Sequence, residues 1–144
     1  MPELNPDQFD YRINHQPPGD EDNPRLHDLS KAMPDVYEHP EYYDHGQEPV
    51  VNRQVTRVMR QARGNPEHMV DMYRGAPHGI THINTGDWVT TSPEYARQHG
   101  LHEDDPAQDW PVYHAKVPAK HLGFGGNDLI EYGYHGPTVK ARKL

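Results

Sequence analysis

The sequence predicts a small α+β domain, and three observations carry that prediction. Short runs with strand character alternate irregularly with short helical runs, which does not fit a parallel βαβ array. The composition is lean: 33% hydrophobic, with 15 Pro, 12 Gly, 12 His and 9 Tyr in 144 residues, so one small core must serve a chain rich in turns. The charge is uneven: Met1–Val50 holds 12 acidic and 3 basic residues (net −9), whereas Val51–Leu144 holds 10 and 11 (net +1). The chain therefore divides into an acidic, Pro/Tyr-rich segment, residues 1–48, and a near-neutral body, residues 49–144.

The N-terminal segment holds few aliphatics and cannot build a core of its own. Phe9, Tyr11, Leu26, Leu29, Tyr37, Tyr42 and Tyr43 recur too often for a purely solvating tail, which favours wrapping along or covering the body. Next, Val51, Val55, Val58, Met59 and Ala62 fall at helical spacing within Pro49–Arg63, and Gly64 and Pro66 stop the helix. Arg53, Arg57, Arg60 and Arg63 lie largely off that stripe, as on a solvated face that answers the acidic segment.

Met69–Tyr73 reads as a strand broken at Gly75 and Pro77, and Asp87–Thr91 as a second, rich in aromatic and β-branched residues. Ser92 is a good N-cap, with Pro93 at the first position of the helix PEYARQH that Gly100 ends. LHEDDPAQD reads as a polar loop in which Asp104 and Asp105 are solvated charge. Strands follow at Val112–Val117 and Leu129–Tyr134, with Gly123, Gly125 and Gly126 in the turn between.

Composition also excludes functions. The acidic balance argues against general nucleic-acid binding. No run of about 20 apolar residues is present to span a bilayer, and MPELNPDQFD has no signal-peptide character, so a cytoplasmic protein without membrane partners is expected. The absence of cysteine excludes thiolate chemistry. The pairs His78 and His82, His99 and His102, and His39 and His45 lack a metal-binding motif, and no metal is expected.

Taken singly, Arg74, the hydroxyl run Thr90-Thr91-Ser92 and Glu131 read as a surface arginine, β-propensity with a cap, and an exposed strand residue. Their order and surroundings give them another meaning. Tyr73-Arg74-Gly75, Trp88-Val89-Thr90-Thr91-Ser92 and the late Glu131 resemble the Arg–Ser–Glu class of ADP-ribosyltransferases. The stretches YRGAPHGITHINTGDWVTTSPEYARQHG and KVPAKHLGFGGNDLIEYGYHG are similar to members found in actinobacterial phages and prophages, and HQPPG, RLHDLS and PDVYEHPEYYDHG extend the likeness over most of the chain.

The resemblance implies a split pair of small sheets with short helices and a cleft that binds NAD. It further implies transfer of ADP-ribose to a macromolecular acceptor, protein or nucleic acid, in a phage-encoded enzyme acting in the host cytoplasm. In that scheme Glu131 stabilises the oxocarbenium ion that forms as nicotinamide leaves, and Arg74 holds the pyrophosphate or adjoining ribose. Thr90 orients the glutamate and the ribose, with Thr91 and Ser92 beside it. Gly75 falls within the cofactor-binding stretch, and Trp88, Tyr95, Tyr132 and Tyr134 are candidates to stack on nicotinamide or to pack behind it.

Two positions depart from the family pattern. Thr90 replaces the first serine, and Leu129 stands where many members carry Gln or Glu two residues before the glutamate, which weighs against arginine as acceptor. Asn127 or Asp128 would be the remaining acceptor-side candidates. With water as acceptor the protein would be an NAD glycohydrolase. Without catalysis it would be a nucleotide-binding or host-factor interaction module.

Overall fold

A computed structural model of the chain describes residues 24–43, 48–100, 109–125 and 128–144. Phe9, Tyr11, His45, His102, the Asp104–Asp105 pair, Gly126 and Asn127 lie outside the described residues. The fold is α+β. Eight strands occur among these residues: β1 (Met69–Gly75), β2 (His82–Ile83), β3 (Trp88–Thr90), β4 (Val112–Pro118), β5 (Leu122–Phe124), β6 (Glu131–Tyr134), β7 (Val139–Lys140) and β8 (Arg142–Lys143). Two α-helices accompany them, α1 (Pro49–Ala62) and α2 (Pro93–His99).

Six strands form one antiparallel sheet in the order β5-β6-β3-β1-β4-β8, and β2 and β7 form a separate two-stranded ribbon. The two sheets are thus unequal in size. Strand β3 is the reason, because it pairs with β1 on one side and β6 on the other through the same residue, Thr90.

The helices form where the sequence places them. In α1, Val51, Val55, Met59 and Ala62 are buried, a stripe that recurs at the helical period. Pro49 opens the helix and Gly64, at φ +75°, follows its end. In α2, the Ser92 hydroxyl accepts from the Tyr95 N–H at 3.0 Å, and Pro93 occupies the first turn. A long-range bond reinforces this cap: Ser92 Oγ donates to Gln54 Oε1 of α1 at 2.6 Å.

Strand boundaries differ from expectation where side chains intervene. Strand β6 begins at Glu131 because the Asp128 carboxylate accepts from the backbone N–H groups of Ile130 (2.8 Å) and Glu131 (3.2 Å), bending Leu129 and Ile130 out of the sheet. Gly123 is not a turn residue but the centre of β5, opposite Gly133. A Cβ there would come within 2.5 Å of His135 Nε2 and 2.7 Å of Arg25 Nη1, so a side chain has no room.

The N-terminal segment, where described, is structural. Leu26, Leu29, Met33, Val36 and Tyr37 join the same buried cluster as Val55, Met59, Met72 and Tyr132. Its start is stitched to the outer edge of β5 by the Arg25–Gly123 bridge, Leu26 N–H to Leu122 O (2.9 Å) and Phe124 N–H to Pro24 O (2.8 Å). Arg60 and Arg63 answer this segment as expected. Arg60 donates through Nε and Nη2 to the Tyr37 carbonyl, and Arg63 lies 3.5 Å from the Glu38 carboxylate and 4.3 Å over the Tyr37 ring.

Candidate active site

Antiparallel registry brings five side chains into one row across the sheet. Arg142 is opposite His114, His114 opposite Tyr73, Tyr73 opposite Thr90 and Thr90 opposite Glu131. Because directly opposed residues share a face of the pleat, all five project to the same side. At a strand spacing of about 4.8 Å, the row runs roughly 19 Å from β8 to β6.

Helix α2 covers the Glu131 end of this face. It sits so close over β1 that a Cβ on Gly75 would meet the Ala96 carbonyl oxygen at 2.6 Å. From this helix the Tyr95 hydroxyl donates to Glu131 Oε1, and Oε2 has no hydrogen-bond partner among the described residues. Burial pushes the Tyr95 phenol well above its ordinary range, and the adjacent Glu131 carboxylate adds to that shift. Tyr95 therefore stays protonated and acts as a fixed hydrogen-bond donor to one carboxylate oxygen.

Thr90 is buried beneath the start of α2, where its hydroxyl accepts from the Ser92 N–H at 3.1 Å. It is thus placed beside Glu131, with its recorded bond going to the turn into the helix. Ser92 is fully buried and occupied by capping. Thr91 points into the core, and its Oγ1 lacks a partner among the described residues.

Arg74 does not join the row. One residue on from Tyr73, it belongs to the opposite face, across from the buried Tyr113. Its Nη1 lies 3.6 Å from Asp87 Oδ2, with the two side chains 17% and 16% exposed. The turn before β3 fixes that partner, since Asp87 Oδ2 also accepts from the Asn84 N–H at 2.8 Å. The structure therefore brings Thr90 and Glu131 together but sets Arg74 apart from both.

The aromatic candidates divide in the same way. Tyr95 reaches the carboxylate, whereas Tyr132 and Tyr134 are buried in the core. The Tyr132 hydroxyl has no partner among the described residues, and desolvation raises its pKa strongly. The Tyr134 hydroxyl donates to the Pro137 carbonyl. For these two, packing is the role observed. Trp88 lies partly buried against Gly125, whose Cβ would come within 2.6 Å of the indole.

The sequence reading missed the other half of the row. His114 Nε2 lies 2.7 Å from Asp71 Oδ1, and its ring lies 5.1 Å from that of Tyr73. The signal was present as polar residues two apart, Asp71 and Tyr73 in β1 and His114 and Lys116 in β4, which is the period of a single strand face. It also missed Gln54, which positions α2, and it offered Asp128 as an acceptor-side residue, whereas the Asp128 carboxylate is engaged at the start of β6.

Among the described residues no group of three or more His, Asp or Glu side chains is placed to hold a metal ion. His82 Nδ1 lies 2.8 Å from Thr81 Oγ1 and His39 Nδ1 lies 3.1 Å from Glu41, so these two histidines have local partners. No described helix is long and apolar enough to cross a membrane. No family model, curated protein or solved structure matches the chain.

Proposed function

We propose that the protein is a mono-ADP-ribosyltransferase that uses NAD as substrate, without a metal, and passes ADP-ribose to a macromolecular acceptor. One observation carries the reading: the carboxylate of Glu131 stands beside Thr90 at one end of the row across the sheet, with one oxygen held by Tyr95. A carboxylate fixed in this way is suited to the ribose as the bond from C1′ to the nicotinamide nitrogen breaks. The bonding pair leaves with nicotinamide, positive charge develops on the ribose, and the acceptor nucleophile closes the new bond as its proton goes to solvent. Thr90 and Tyr95 act as positioning residues for that carboxylate.

A second reading, a nucleotide-binding or interaction module without turnover, draws on a different observation. Arg74 is engaged by Asp87 on the other face of the sheet. In the enzyme reading, its contact with pyrophosphate requires exchange of that partner for phosphate oxygens.

The test is release of free nicotinamide from NAD by the full chain, with and without cell extract, beside Glu131→Gln. The enzyme reading expects release that falls at least a hundredfold in the variant, about 2.7 kcal/mol of transition-state stabilisation. Release without labelled macromolecule would indicate hydrolysis. Equal turnover by both proteins would overturn the assignment of Glu131, and NAD binding without release would favour the module.

A further inference from the structure

A second concave feature lies along α1, between its exposed arginines and the edge of its buried stripe at Val55. There, α1, the Pro40–Tyr43 turn and the residues leading into β6 enclose a groove of about 580 Å³. Arg53, Arg57 and Arg60 project along one wall, and among the described lining residues Glu41 is the only acidic one. That carboxylate sits at an exposed position, 3.1 Å from His39 Nδ1. Arg53 and Arg57 are exposed and make no hydrogen bond or ion pair among the described residues. They stand about one helical turn apart, roughly 6 Å along the axis. Arg60 pins the opposite wall through the Tyr37 carbonyl while keeping its charge at the groove.

The floor has a different chemistry. Val55, Leu129 and Ile130 are buried apolar side chains beneath the arginines, and Tyr43 closes the far side, its hydroxyl tied to Asp35. A row of cations above an apolar and aromatic floor suits a chain with a charged backbone and flat apolar faces. A peptide with acidic side chains alone, such as polyglutamate, would satisfy the arginines but would offer nothing to the apolar and aromatic side chains. A duplex would present its phosphates while keeping its base faces stacked inside.

We propose that this groove binds single-stranded nucleic acid, with successive phosphates on Arg53, Arg57 and Arg60 and a base against the partly buried ring of Tyr43. The binding is local, which reconciles it with a chain whose net charge is −8. It goes beyond the reading of Glu131 and does not depend on NAD turnover, although the floor residues Leu129 and Ile130 immediately precede that glutamate.

The experiment is fluorescence anisotropy of a labelled twelve-nucleotide single strand, in DNA and RNA form, with the full chain and no NAD. Three phosphate contacts give a salt slope of about −2, so affinity should fall roughly 20-fold between 50 and 200 mM salt. Replacing both Arg53 and Arg57 with Ala should weaken binding and leave only about a threefold salt dependence, whereas the Lys pair should keep most of the slope. Tyr43→Ala should weaken binding at least about fivefold with the slope unchanged. Unchanged binding in the double Ala variant would overturn the proposal. So would equal affinity for the duplex, or displacement of the labelled strand by polyglutamate as readily as by unlabelled strand. Binding that passes these tests while nicotinamide release fails would sustain the groove and sink the transferase.

Discussion

Replacing Gly75 with Ala tests the seat of α2 and therefore the placing of Tyr95 on Glu131. The new methyl would lie 2.6 Å from the Ala96 carbonyl oxygen, roughly 1 Å inside ordinary van der Waals separation. The obstacle is helix backbone, which no rotamer change relieves. The helix must lift as a unit, straining the Ser92 cap and its bond to Gln54 and drawing the Tyr95 hydroxyl from the carboxylate. Overpacking of this kind costs about 2–3 kcal/mol, and a chain of this length loses roughly 2–4 °C in Tm per kcal/mol. Thermal unfolding followed by far-UV circular dichroism should therefore show a Tm lower by roughly 4–12 °C. Amide exchange should accelerate first at Tyr95 and Ala96. A Tm within about 1 °C of the parent, with unchanged exchange in α2, would refute the close seating of this helix on β1.

Two further outcomes follow from buried polar groups. Tyr132→Phe removes a hydroxyl that is fully buried and unpartnered among the described residues, so urea unfolding should show a neutral change or a gain of up to about 1 kcal/mol, and a loss of that size would mean the hydroxyl has a partner. His27, His121 and His135 each have a pKa held below the ordinary 6.5, with desolvation the largest cause. The unfolded chain takes up these protons first as pH falls, so stability is complete above about pH 6.5 and declines below it until the lowered native values are reached. Melting temperatures measured from pH 7.5 to 5 should fall in that window, and the fall should be shallower in His135→Asn. A flat or rising profile would refute the assignment of these imidazoles as partly buried neutral groups.

Much of the scaffold was legible because local chemistry and tertiary packing agree there. The period of Val51, Val55 and Met59 marks α1, and Ser92-Pro93 with Gly100 delimits α2. The ribbon of β2 and β7, and the edge strand β8, have two residues each and no room for a periodic signal. Gly123 reads as a turn because a glycine cluster does so locally. Its need for a missing side chain arises from His135 and Arg25, which only the folded chain brings there.

The site was legible in part for a similar reason. The order of Arg74, Thr90 and Glu131 along the chain is visible, but the face each residue takes depends on strand registry, in which a step of one residue reverses the direction. Thus Thr90 and Glu131 come together while Arg74 faces the other way. Tyr95 was one aromatic among four until the seating of α2 singled it out.

The stitch between Pro24–Leu26 and β5 bears on how the chain reaches this structure. Its partners are separated by almost the whole described sequence, so this closure has a high loop-entropy cost and forms late. During synthesis, the N-terminal segment emerges first and must wait for β5 before its backbone groups are paired. Until then the sheet ends in an open edge whose amides and carbonyls can accept a strand from another chain. The yield of monomer on refolding should therefore depend on protein concentration, with the short stretch from Pro24 to Leu26 deciding between closure and aggregation.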